Sequence, residues 1–146
     1  MSKKSKNVVI SLLKTNTFVV DALSSILKPY NISLQQFNVL RILRGQKGNP
    51  ANLLTVQEKM INRMSNTTRI IDKLVQKNYV IRNICKKNRR KIELFITPKG
   101  LKTLGKIDLT FEKEESKLTE KLTPEEHDEI LTLFNKINNS LKQKST

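Results

Sequence analysis

The chain has one cysteine, one histidine and no tryptophan in 146 residues. A lone thiol, Cys85, forms no internal disulfide, and so little cysteine fits a reducing compartment, so a cytoplasmic location is expected. Cys85 and His127 together fall short of the N and S ligands that a zinc site needs, so no metal is expected. No Ser-His-Asp set, phosphate-cradling glycine loop or nucleotide fingerprint occurs, and the paired acids Glu114 and Glu115 lie on a plain charged helix. No catalytic residue, no cofactor and no enzymatic activity are therefore expected. No uninterrupted run reaches the roughly 18 apolar residues of a membrane span, so no membrane partner is expected either. The opening Met1-Ser2-Lys3-Lys4-Ser5-Lys6 is followed by a segment broken by Lys14, Thr15, Asn16, Thr17 and Asp21, unlike a secretory signal. Glycine and proline are scarce, four of each, which leaves few breaks and points to a mainly helical chain.

What the chain has in excess is positive charge: 28 Lys+Arg against 13 Asp+Glu, a formal +15. Such an excess favours a polyanionic partner, because nucleic acid releases counterions when basic side chains bind it. The charge is segregated. Twelve basic and two acidic residues lie between Arg63 and Lys102, whereas nine of the acids lie between Asp108 and Glu129. A basic middle suited to a polyanion thus precedes a segment suited to water or to another protein surface.

The length suits one domain with a single core. Val9, Leu12, Leu13, Val20, Leu23, Ile26 and Leu27 recur at helical spacing from about Val8 to Leu27, where Lys28-Pro29 ends the helix. Ser33 with Gln36 forms a capping box for a second helix, which Gly45 and Gly48-Asn49-Pro50 close. A short helix from about Leu53 to Ile61 buries Val56 and Met60. After a turn at Asn62-Arg63, another runs from about Ser65 to Lys77 with Ile70, Ile71, Leu74 and Val75 as its apolar face. Two short helices joined by a tight turn form a helix-turn-helix. The period then changes to two: Tyr79–Cys85 and Ile92–Ile96 read as strands flanking the cationic turn Lys86–Lys91. Thr97-Pro98 restarts a helix to about Leu122. Thr123 and Glu126 cap the last one, whose Ile130, Phe134, Ile137 and Leu141 form a narrow seam for packing against another helix.

A hairpin placed directly after a helix-turn-helix makes a winged helix. Two segments carry a resemblance beyond that order. One is Thr68-Arg69-Ile70-Ile71-Asp72-Lys73-Leu74-Val75-Gln76-Lys77-Asn78-Tyr79-Val80. The other is Asn88-Arg89-Arg90 followed by Thr97-Pro98-Lys99-Gly100. They resemble the recognition helix and the wing of the multiple-antibiotic-resistance-regulator (MarR) family of bacterial transcription factors, over nearly the whole chain. Two departures stand out. The family's wing Asp is Asn88, which accepts a hydrogen bond but adds no charge to orient the wing arginines. Its usual Gly after the recognition helix is Asn78, the next-best residue for a left-handed cap. Some members sense peroxide through a cysteine in the first helix; this chain has none there, and Cys85 reads as a small strand residue with basic neighbours.

The expected fold is therefore mainly α with a small β-hairpin wing: a winged helix-turn-helix with N- and C-terminal dimerisation helices. Residues 1–146 are read as a single domain, with the DNA-binding lobe at about 33–100 and helical dimerisation regions at about 7–28 and 98–144. Ser65, Asn66, Thr67, Thr68, Arg69 and Lys73 lie where a recognition helix meets a major groove, and arginine can pair with a guanine edge. Lys87, Arg89 and Arg90 belong to a wing tip with five cations among six residues, suited to phosphates or a narrow minor groove. The expected partners are double-stranded DNA and a second copy of the chain. The resemblance also implies a small, often aromatic or phenolic, ligand between the dimer interface and the DNA-binding lobe. Phe18, Tyr30 and Phe37 are candidate lining, although core positions suit them better. The expected function is a ligand-responsive repressor at a palindromic operator. A sequence-indifferent architectural DNA binder and an RNA-binding protein are the alternatives; the ordered helix-turn-helix and the lack of sheet aromatics for base stacking weigh against the latter.

Overall fold

The computed structural model describes residues 2–144. Helix α1 (Lys3–Leu27) starts earlier than the apolar pattern alone predicts, because the Ser2 side chain accepts from the Lys4 amide at 3.1 Å and caps it. A single 3₁₀ turn (Lys28–Tyr30), stiffened by Pro29, leads to Asn31 in the left-handed conformation. Helix α2 (Leu34–Gly45) opens with the expected capping box: the Gln36 amide donates to Ser33 Oγ at 3.0 Å, and the Ser33 amide donates to Gln36 Oε1 at 3.1 Å. Helices α3 (Leu53–Lys59) and α4 (Thr67–Gln76) form the helix-turn-helix, and strands β1 (Val80–Ile84) and β2 (Ile92–Ile96) form the antiparallel wing. Helices α5 (Pro98–Thr119) and α6 (Pro124–Lys144) complete the chain.

Backbone contacts separate two units, one up to Phe111 and one from Glu112 onward. In the first, α1, α2, α4, β2 and α5 converge on one core. Leu27, Leu40, Leu43, Ile71, Leu74, Leu94, Leu104 and Ile107 are each at most 2 % exposed. Each such side chain contributes roughly 1.5–3 kcal/mol by leaving water. Phe37 stacks on Phe111 with ring centroids 4.5 Å apart, and the Arg41 guanidinium lies 5.5 Å from the Phe37 ring. Arg44 makes a two-armed ion pair with Asp108 at 2.8 and 3.1 Å, which ties α2 to α5. Both partners are about a third exposed, so the pair contributes at most about 1 kcal/mol.

The junction between α4 and the wing is tightly built. Asn78 takes φ +63°, so the Tyr79 amide donates to the Leu74 carbonyl and the Asn78 amide to that of Val75, both at 3.0 Å. This pair of bonds is a Schellman ending, with Asn in the place where glycine is commonest. The Thr97 hydroxyl then donates to the Asn78 carbonyl at 2.7 Å and accepts from the Gly100 amide at 3.0 Å. A methyl group on Gly100 would lie 2.7 Å from both the Tyr79 carbonyl oxygen and Ile96 Cγ1. The hairpin also gains a short third partner: Ala51 exchanges backbone hydrogen bonds with Leu94 at 3.1 and 2.7 Å. A two-stranded hairpin is marginal alone, so this bridge and the burial of Val80 and Leu94 anchor its base.

In the second unit, the Glu126 amide donates to Thr123 Oγ1 at 3.1 Å, and the Thr123 amide donates to Glu126 Oε1 at 3.4 Å, the expected box at the start of α6. The seam residues Ile130, Phe134 and Ile137 stay more than a third exposed. Helix α1 likewise exposes Val8, Val9 and Leu13. With the 3₁₀ turn included, α1 is long and apolar enough by length and composition to cross a membrane, its best 18 residues having a mean hydropathy of 1.3. The averaged hydropathy tolerates Lys14 and Asp21, which the search for an unbroken apolar run did not.

Replacing Gly100 by alanine should destabilise the protein by about 1–3 kcal/mol, the usual range for overpacking. Gly105 lies on an open face of α5 with no atom within 4 Å of an added Cβ. Gly105→Ala should raise stability by up to about 1 kcal/mol through helix propensity. Urea unfolding of both variants checks this; equal midpoints would show that the Gly100 contact is not tight.

Candidate nucleic-acid interface

Helix α4 begins at Thr67, with Asn66 as its cap, and not at Ser65. The Arg69 amide donates to Asn66 Oδ1 at 3.1 Å. The helical period from there decides which of the predicted contact residues reach the surface. Thr67, Ile71 and Leu74 share one helical face, so Thr67 is buried with the core, and its hydroxyl donates to the Ser65 carbonyl at 3.4 Å. Ser65 is half-buried, with its Oγ enclosed and without a hydrogen-bond partner among the described residues. Asn66, Thr68, Arg69 and Lys73 are exposed on the outer side of α4. Of the recognition-helix candidates, these four form an open polar face, while Thr67 is a structural residue.

The helix-turn-helix is held from behind by side chains that local pattern does not single out. The Ile61 amide, in the turn between α3 and α4, donates to Asn38 Oδ1 of α2 at 2.9 Å. Lys77, at the end of α4, donates to the Asn31 carbonyl and to Gln36 Oε1, the latter at 3.2 Å. Burial, aided by the nearby charge of Lys73, lowers the pKa of Lys77 below the usual lysine range.

The wing is docked to α4 by an ion pair that the sequence reading missed: Arg82 on β1 lies 2.5 Å from Asp72 Oδ1. Both side chains are well exposed, so the pair adds at most about 1 kcal/mol. Its effect is geometric, since it joins the outer side of the recognition helix to the first strand. At the tip, Asn88 Oδ1 accepts from the Arg90 amide at 3.1 Å, and the Lys91 amide returns to the Asn88 carbonyl at 2.9 Å. Asn88 therefore shapes the turn through the backbone without a carboxylate's charge. Lys87, Arg89 and Arg90 are all exposed, and no ion pair involves them among the described residues. Cys85 is half-buried just past β1, its amide donating to the Lys91 carbonyl at 2.9 Å.

The aromatic candidates for ligand lining separate. Phe37 is 3 % exposed and belongs to the core, Tyr30 is half-buried against that core, and Phe18 is 71 % exposed on α1. None of them lines a groove of about 670 Å³. That groove lies between α1 and the helix-turn-helix, along Val20, Ser24, Leu34, Asn38, Met60 and Ile61. Its polar and aliphatic lining explains why a search for aromatic residues passed it by.

Residues 32–92 match the family model described as MarR family. No curated protein matches the chain. Among solved structures, the chain is similar to AbsC, a MarR family transcriptional regulator from Streptomyces coelicolor (TM-score 0.85, 19 % identity, 98 % of this chain and 97 % of that one). It is similar to Bordetella bronchiseptica BpsR, described with a mechanism for regulation of its DNA binding by 6-hydroxynicotinic acid (0.83, 20 %, 94 % and 97 %). It is also similar to a cysteine-to-serine mutant of Escherichia coli MarR complexed with operator DNA (0.79, 21 %, 94 % and 99 %). At these identities the structural likeness establishes a shared winged-helix fold.

The turn at Asn88 can be tested apart from DNA. Asn88→Ala should speed amide hydrogen exchange at Arg90 several-fold, whereas Asn88→Asp, which keeps the acceptor, should not. Exchange followed by NMR gives the answer, and unchanged protection in Asn88→Ala would show that the side chain does not hold the tip.

Proposed function

From the MarR-family domain at residues 32–92, which runs from α2 to the start of β2 within a transcription-regulator fold, we propose that the chain is a repressor. In this reading it binds a palindromic operator in double-stranded DNA as a cytoplasmic homodimer. The observation that carries the reading is one arrangement of charge. Arg69 and Lys73 on the outer side of α4, and Lys87, Arg89 and Arg90 on the wing, are exposed without a carboxylate partner among the described residues. The E. coli MarR structure with operator DNA supports this use of the fold. Dimerisation is supported by the apolar residues that α1 and α6 each leave in water, Val8, Val9 and Leu13 on one and Ile130, Phe134 and Ile137 on the other. A second copy is the proposed cover for both.

Small-ligand control is the finer part of the proposal. The groove between α1 and the helix-turn-helix falls within the roughly 300–1,000 Å³ of ligand pockets. It touches α1 on one side and Met60, Ile61 and Asn62 on the other, so an occupant would contact both a dimerisation helix and the turn that leads into α4. The ligand named for BpsR is an aromatic acid, which makes that class the first to try.

Selection of bound fragments from random duplex DNA should yield a palindrome. On that operator, Arg69→Ala should cost about 1–3 kcal/mol, and much less on random DNA, because a helix-held arginine reads a base edge. Arg90→Ala should weaken both DNAs more evenly and lower the slope of log affinity against log salt by about one for each wing on the DNA. Fluorescence anisotropy at several salt concentrations measures both. Equal losses for Arg69→Ala on the two DNAs would favour the sequence-indifferent architectural binder instead.

For the ligand, a panel of small aromatic acids should include one that raises the melting temperature and weakens operator binding. A panel that moves neither quantity would leave a constitutive regulator as the better account.

A further inference from the structure

The side of α4 that faces the start of α2 carries a second cationic feature, apart from the wing. Lys28, Lys73 and Lys77 line a trough of about 510 Å³ with Ser33, Gln36 and Gln76. The trough shares Ser33, Gln36 and Lys73 with a cleft of about 270 Å³ that Arg69 lines at the start of α4. No carboxylate lines either space. Among the described residues, none of these four cations makes an ion pair with Asp or Glu. The only acid on α4, Asp72, is engaged by Arg82.

The arrangement lacks negative charge and has the donors to receive it. Ammonium groups of lysine carry three hydrogens each, and Lys77 uses two directions on Asn31 and Gln36. Its pKa is lowered chiefly by burial and further by the charge of Lys73 beside it. The flanking Ser33, Gln36 and Gln76 carry hydroxyl or amide hydrogens without adding charge. From Arg69 to Lys77 the helix flank extends about 12 Å. One strand of DNA presents a phosphate about every 3.4 Å of axis, so the trough and the adjoining cleft together are long enough to meet more than one.

We propose that this trough is a phosphate site, occupied by one strand of the DNA backbone running beside the recognition helix. Lys28 and Lys77 thereby join Arg69 and Lys73 as DNA contacts. The strand is gripped on two sides, by α4 and by the turn that joins α1 to α2. This assignment rests on the DNA-binding reading above and adds to it a contact outside the helix-turn-helix and the wing. Lys28 is the discriminating residue, because it is exposed on the 3₁₀ turn and makes no side-chain hydrogen bond among the described residues.

The test is full-length Lys28→Gln, with circular dichroism and melting temperature compared with the unaltered chain. Anisotropy against salt should show the slope reduced by about one for each subunit on the DNA, with equal weakening on operator and random duplexes. Arg90→Ala serves as the reference. If Arg90→Ala lowers the slope and Lys28→Gln does not, the trough lies off the DNA path and the proposal is overturned, while the DNA-binding reading stands. If the unaltered chain binds no duplex, both fail together. A second arm uses inorganic tripolyphosphate at matched ionic strength. Stabilisation that Lys28→Gln abolishes, with an unchanged DNA slope, would assign the trough to a free phosphate compound and overturn the strand assignment.

Discussion

The left-handed turn at Asn78 is the constraint on which the placement of α4 against the wing depends. It ends α4, reverses the chain into β1, and offers its carbonyl to Thr97, which also starts α5. One residue's backbone conformation thus sets the angle between recognition helix and wing. Asn tolerates that conformation better than other residues with a Cβ. Gly100 permits the close approach of α5 to Tyr79 that completes the clamp.

Around this junction the basic residues fall into two groups that composition cannot separate. Arg44 is spent on Asp108, Arg82 on Asp72, and Lys99 on the Lys77 carbonyl and the Tyr79 ring. These cations hold helices and strands together. Arg69, Lys73, Lys87, Arg89 and Arg90 have no such partner among the described residues. A polyanion would relieve their mutual repulsion, and the free group lies on the recognition helix and the wing that Asn78 orients. Net charge does not tell paired cations from unpaired ones; the internal pairings do.

Much of the fold was legible because its signals are local. The Ser33–Gln36 and Thr123–Glu126 boxes, the Asn78 cap, the Thr97-Pro98 helix start and the alternating strands each depend on residues a few positions apart. Helix starts were less legible. Ser2 and Asn66 took over as caps because their side chains reach an amide two or three residues on, a contact that apolar periodicity does not record. Thr67 is buried because it shares a helical face with Ile71 and Leu74.

The sequence by itself determined the order of elements, the place of the helix-turn-helix and wing, and the basic character of both. Only the tertiary structure decided that Ala51 would extend the hairpin, that Asp72 would take Arg82, that Phe37 would stack on Phe111, and that Lys28 would share a trough with Lys73 and Lys77. The physical reason is range. Caps and periodicities are settled within a turn or two of chain, whereas these contacts join different elements, at least ten residues apart, and they exist only once the buried faces of α2, α4 and α5 have packed around one core.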